Sequence, residues 1–139
     1  MDSKAFFLSI LKAHEELRLL QDEKERYAEL ATSLGSMGQG LVRSSEKHSR
    51  VESAAIRLAE ITEKLDAQAN QYIDLLDYGR RIITAIPNDK QRQVMTYRYI
   101  CGYGWKYIQE KMKYNDIKSV YRLHGWALQA ADALLKKID

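Results

Sequence analysis

In "KYNDIKSVYRLHGWAL", residues 113–128, the side chains with recognition chemistry fall at helical spacing. Val120, Leu123, Ala127 and Leu128 make an apolar stripe, continued by Ala131, Leu134 and Leu135. Lys118, Ser119, Tyr121 and Arg122 lie off that stripe, with Trp126 one turn further on. Upstream, "WKYIQEKMK" forms a shorter pattern in which Trp105, Ile108 and Met112 share a face, leaving Lys106, Lys111 and Lys113 to solvent. Such side chains hold a ligand rather than break a bond. Lys and Arg pair with phosphates or guanine edges, Ser and Tyr hydroxyls with backbone or base atoms, and Tyr and Trp pack on sugars or thymine methyls.

A short helix, a polar turn at "YND" and a second helix with polar side chains at its beginning is the pattern of a helix-turn-helix, whose second helix enters the major groove of double-stranded DNA. Asn115 or Asp116 is suited to cap that second helix. The competing expectation is a small helical bundle whose aromatics, Trp105 and Tyr107 among them, fill its core. His124 lies beside the apolar stripe and is expected to be packed rather than to act as a switch.

The rest of the chain offers no reaction chemistry. "GSMGQG", residues 35–40, lacks the Lys-Ser/Thr of a phosphate-binding loop and follows a helical pattern, so it is expected to be an interhelical turn. "HEELRLLQDEKERYAE" interleaves charges of both signs, as on a solvated helix face. His14, His48, His124 and Cys101 fall at no metal-ligand spacing. Cys101 is the single cysteine and is expected in the core. The expectation is a binding protein that is not an enzyme and needs no cofactor or metal.

The elements that must position these residues are helical. The 139-residue chain is rich in Ala, Leu, Glu, Lys, Arg and Gln and holds one Pro and 7 Gly, which favours an all-α fold. Phe6, Ile10, Ala13, Leu17, Leu20, Tyr27, Ala31 and Leu34 recur at steps of three and four, with Lys24 the one interruption. A second seam runs through Val51, Ala54, Leu58, Ile61, Leu65, Tyr72, Leu75, Ile82 and Ile86, with Gln68 and Gly79 in register and Ser44 or Ser45 as cap. Joined by the glycine loop, these helices are expected to form a long antiparallel hairpin over residues 1–86. Phe7, Leu11, Leu19, Leu76 and Ile83 widen its apolar stripe, so self-association into a dimer or higher oligomer is expected.

Pro87 ends the second helix, and "PNDKQRQVMTYRYI" restarts one with Asn88 or Asp89 as cap and Val94, Met95, Tyr97 and Ile100 inward. "CGYG" stops it. Residues 87–139 are thus expected to form a three-helix domain. Charge separates the two parts: residues 1–86 carry 12 Lys+Arg against 14 Asp+Glu, and residues 87–139 carry 10 against 5. No stretch approaches the roughly 18 consecutive apolar residues of a membrane span. "AFFLSIL" lacks the flanks of a signal peptide, so a soluble, cytoplasmic protein is expected.

The run "RYICGYGWKYIQEKMKYNDIKSVYRLHGWALQAADAL" resembles region four of bacterial sigma factors. More closely, it is similar to short sigma-factor-like proteins encoded by phages and prophages of Gram-positive bacteria, including the ArpU-type late transcription regulators. The resemblance rests on "RY-I-G-W-I" from Arg98 to Ile108 and "VYRLHGWAL" from Val120 to Leu128, with "LVRSSEKHSRVESAAIRLAEITEKL" similar to the preceding helix of that family. It implies a promoter-reading head in which Lys118, Ser119, Tyr121, Arg122 and Trp126 occupy the outward recognition-helix positions and Trp105 and Lys106 start the supporting helix. The turn "KYND" is one residue longer than the common sigma pattern. Transcription regulation is therefore expected, ahead of a DNA-packaging or recombination accessory role and of an adapter that binds RNA polymerase or a host factor without reading DNA.

Overall fold

The computed structural model describes residues 2–36 and 44–138, and every regular element among them is helical. The helices are α1 (Ser3–Ser36), α2 (Ser44–Thr84), α3 (Asp89–Met95), α4 (Trp105–Met112) and α5 (Ile117–Ile138), with a π-turn, Thr96–Ile100, between α3 and α4. Gly35 and Ser36 still belong to α1, and the rest of the glycine loop and the expected Ser44 or Ser45 cap lie outside the described residues and side chains. No described helix is long and apolar enough to cross a membrane.

The helix boundaries follow local chemistry. Asp2 Oδ1 accepts the Ala5 N–H at 2.7 Å and caps α1. α2 stops short of Pro87, its last turn tightened by the Ile86 N–H donating to Ile83 O at 3.0 Å. Asn88 Oδ1 then accepts the Gln91 N–H at 2.9 Å to open α3. Arg92 ties down the same corner through Ile86 O, Pro87 O and the Asp89 carboxylate. The π-turn is closed by the Cys101 N–H on Thr96 O at 2.9 Å, and the chain leaves it through Gly102 at φ 74°.

The chain divides into two compact units. The first joins Met1–Ala13 to Tyr72–Asp139, and the second is His14–Gln71. The expected division at Pro87 differs from this one: Pro87 breaks a helix, but the unit that holds α3 to α5 also takes in the beginning of α1 and the end of α2. Burial gives the reason. Phe7, Ile10, Ile82, Ile83 and Ile86 share one core with Val94, Met95, Tyr99, Ile108, Val120, Leu123, Ala127, Ala131 and Leu135. The Ser3 N–H donates to Asp132 Oδ1 at 2.8 Å and its hydroxyl to Leu128 O at 2.9 Å, pinning the start of α1 to α5. Phe7 lies against Tyr99 with ring centroids 5.0 Å apart, and Phe6 meets Tyr78 edge-on at 5.1 Å. Gly79 is buried where a Cβ would lie 2.8 Å from Ile10 Cδ1, so the two helices approach where the side chain is missing.

In the second unit the seam residues are mostly half-buried, with Leu20 and Ala54 the buried hydrophobics among the described residues. Leu20, Glu23 and Tyr27 of α1 line a cleft with Arg57, Ile61 and Lys64 of α2; Tyr27 and Leu30 line another with Arg50 and Ala54. Later residues of α1 thus face earlier residues of α2.

Two expectations need correction. Leu19, expected on the apolar stripe, is 61% exposed. Cys101 is exposed, not in the core, because it sits at the end of the π-turn where the chain turns away through Gly102. Val94 and Met95 are buried and Tyr97 and Ile100 pack half-buried against the core, as expected, while Tyr99, not among the residues expected inward, is the buried residue of the π-turn.

Candidate nucleic-acid interface

The surface in question is built at the beginning of α5. Asp116 caps that helix, its Oδ1 accepting both the Ser119 N–H at 2.8 Å and the Ser119 hydroxyl at 2.7 Å. Those two hydrogen bonds, helped by Arg122 and Lys118, hold the Asp116 carboxyl below its usual range. The turn before it is fixed by Lys113, which takes the left-handed conformation at φ 60° and ends α4. The Tyr114 N–H follows with a hydrogen bond to Gln109 O at 3.1 Å, and Gln109 Nε2 donates back to Tyr114 O at 3.3 Å.

From this capped start α5 buries Val120, Leu123, Ala127, Ala131 and Leu135 and leaves the opposite side open. Lys118, Tyr121, Arg122 and Trp126 are exposed there, at spacings of three and four that keep them on one face. Tyr121 and Trp126 each leave about half their surface in water, 49% and 51%. At Gly125 a Cβ would meet nothing within 4 Å, so the backbone beside Trp126 is open as well. Ser119 is half-buried, and its hydroxyl proton is held by the cap.

The site residues of α4 have different settings. Trp105, half-buried, meets Tyr121 edge-on at 5.5 Å and His124 at 4.7 Å, so it borders the exposed face of α5 rather than lying apart from it. Lys106, the next residue, is exposed. Lys111 lies about 120° round the helix from Trp105 at 100° per residue. Its ammonium sits 5.7 to 5.9 Å from the ring centroids of Tyr97, Tyr103 and Tyr107. The structure therefore places Lys118, Tyr121, Arg122 and Trp126 on the exposed side of α5, sets Trp105 beside Tyr121, and places Lys111 on a separate tyrosine cluster.

Sequence patterns missed the support behind this face. Arg98 lays its guanidinium over the Trp105 ring, Cζ 4.5 Å from the centroid, and Nη1 donates to Tyr103 O at 3.1 Å. Tyr99 Oη and His124 Nε2 share a 2.7 Å hydrogen bond. Burial pushes the Tyr99 hydroxyl up to about 12, against an opposing pull from Arg98. Burial, then the charges of Arg98 and Lys4, pushes His124 down to about 4, so the imidazole is neutral at ordinary pH. The one available signal was that Tyr99 follows Met95 by four residues and so shares its face; nothing local pairs it with a histidine 25 positions away.

Among the described residues no three of the His, Cys, Asp and Glu side chains come together to hold a metal ion. Compared with family models, with curated proteins and with solved structures, the chain finds no match.

Proposed function

We propose that the protein is a sequence-specific double-stranded DNA-binding protein, acting as a transcription regulator of phage or prophage type, whose reading head is the helix-turn-helix of α4, the 113–116 turn and α5. The observation that carries this proposal is the contiguous exposed face of Lys118, Tyr121, Arg122 and Trp126 on the capped half of α5, backed by a fully apolar stripe. A helix that packs one side tightly and offers two cations and two aromatics on the other fits a major groove, where Arg pairs with guanine edges and aromatics pack on thymine methyls. Lys106 and Lys113 hold phosphates beside it. Ser119 contributes through the cap and through its remaining acceptor capacity.

The facing of late α1 residues toward early α2 residues supports the antiparallel hairpin, and the exposed Leu19 and Ile56 leave it apolar surface through which to self-associate. Pairing two heads in one oligomer raises avidity by roughly a hundredfold or more when both sites are reachable.

The test is a titration of the full chain against fragments of its own genomic neighbourhood at several salt concentrations, with Arg122→Ala and Lys106→Ala alongside. Arg122→Ala is expected to weaken the selected fragment by ~1 to 3 kcal/mol and random DNA far less, whereas Lys106→Ala weakens all fragments alike and lowers the salt slope by about 1. Equal losses on selected and random DNA for Arg122→Ala sink the base-reading role. Failure to select any fragment sinks DNA reading as a whole and makes RNA polymerase the next bait.

A further inference from the structure

The face proposed to read DNA is held from behind by one residue of the π-turn. Arg98 does three things at once. Its guanidinium covers the Trp105 indole, its Nη1 fixes the Tyr103 carbonyl just ahead of α4, and its Nε is buried without an acceptor. Leaving a buried donor unpaired costs about 1 to 3 kcal/mol, so this placement is offset elsewhere, and the indole face is the evident partner. Trp105 then passes the placement on, since its ring meets Tyr121 nearly perpendicular, at 80° and 5.5 Å. Tyr121 has half its surface in water, and the Trp105 ring it meets edge-on is an aromatic contact that sets its direction. The next residue of the π-turn, Tyr99, reaches α5 by a parallel route through His124. A π-turn is a local insertion that re-aims successive side chains, and here it sends Arg98 to α4 and Tyr99 to α5.

We infer that Arg98 is a positioning residue, which through the Trp105 ring holds Tyr121 in the orientation that discriminates one DNA sequence from another. The inference rests on the proposed DNA reading of α5 and adds a residue that touches no DNA. Discrimination, more than general affinity, should depend on it, because the phosphate-holding lysines are untouched by its loss.

The experiment is a double-mutant cycle in the full chain: wild type, Arg98→Met, Tyr121→Ala and the pair, each titrated against the selected fragment and a random one at a single salt concentration. Arg98→Met is expected to narrow the ratio of selected to random binding by roughly fivefold, and to have almost no further effect once Tyr121 is gone. Arg98→Lys keeps a cation over the indole and is expected to recover part of the ratio. Should Arg98→Met melt before it can be titrated, Arg98→Lys carries the same cycle. Tyr121 ring signals in NMR spectra of the free protein give a reading without DNA, and they are expected to shift in Arg98→Met. If wild type discriminates but Arg98→Met loses equally on both fragments, or its loss multiplies with that of Tyr121→Ala, the positioning role is overturned while DNA reading stands. Unmoved Tyr121 signals overturn it too. If wild type does not discriminate, the DNA reading itself falls, and this inference with it.

Discussion

The two compact units use the same helices in different ways. In the unit made of Met1–Ala13 and Tyr72–Asp139, apolar side chains from distant parts of the sequence meet in one cluster, and Phe7, Ile10, Ile86, Val94, Met95, Ile108 and Val120 are wholly enclosed. In His14–Gln71 the seam is narrow, its members mostly half-buried, and Leu19 and Ile56 stand more than half in water. A seam of that kind aligns two helices but excludes water from few side chains, and burial of an apolar face is where most helical stability arises. The difference teaches that a regular heptad pattern does not by itself show where stability lies. The strongest packing occurs where the ends of α1 and α2 share a core with the shorter helices.

The comparison is most directly broken at the N-terminus. A chain lacking residues 1–13 loses Phe7, Ile10 and both Ser3 hydrogen bonds, and the unit that includes α3 to α5 is expected to lose its cooperative melt altogether. Fluorescence of Trp105 and Trp126, both in that unit, reports it. A retained sharp transition would mean that residues 72–139 fold unaided. Next in size is Phe7→Ala, expected to cost about 3 to 5 kcal/mol, against about 2 kcal/mol for Leu20→Ala in the other unit, both read from urea unfolding. Equal costs would erase the distinction between a packed core and a thin seam.

Much of the fold was legible in the sequence because it is written in local chemistry. Pro87 and Asn88 mark a helix end and a helix start, Asp116 caps α5, and the stripe from Val120 to Leu135 is inward throughout. Each of the seam positions from Val51 to Ile86 is also buried or half-buried. What escaped has no local signature. Ser3 and Asp132 are 129 residues apart, and Phe7, read as a supplement to the hairpin stripe, packs on Tyr99 of the π-turn. The exposed face of α5 was visible from helical spacing alone. Its support through Arg98, Trp105 and His124 was not, because stacking and a shared hydrogen bond depend on where the chain returns.

Acid probes the same support more gently. His124 is packed between Tyr99 and Trp105 with Arg98 and Lys4 nearby, and it is pushed down to about 4 from an ordinary 6.5. Between those values the unfolded chain takes up a proton that the folded chain refuses, so the stability His124 contributes is complete above about pH 6.5 and falls as pH drops toward 4. Asp116 and Asp132, whose carboxyls are held below the usual range by Ser119 and Ser3, lose their contribution only at lower pH. Melting at pH 6.5 and at pH 5 therefore tests His124 ahead of those two carboxylates. The midpoint is expected to fall across that interval in the wild type and to fall less in His124→Gln. An identical decline in both would show that the imidazole is not what resists protonation.

The smallest effect expected is at Gly79, because two terms oppose each other there. Alanine is the better helix former by about 1 kcal/mol, which by itself stabilises α2. Its Cβ, however, would stand 2.8 Å from Ile10 Cδ1 inside a filled core, and overpacking of that kind costs about 1 to 3 kcal/mol. Gly79→Ala should thus destabilise by about 1 kcal/mol on balance, from the difference of those terms. Removing the offending methyl reverses the sign of the contest: in an Ile10→Val background the clash is gone while the propensity gain remains. Gly79→Ala is then expected to stabilise relative to Ile10→Val alone, with urea midpoints as the measure. If Gly79→Ala is equally harmful in both backgrounds, the close approach of α1 and α2 at this point is not governed by the Ile10 side chain, and the packing that distinguishes this unit has another origin.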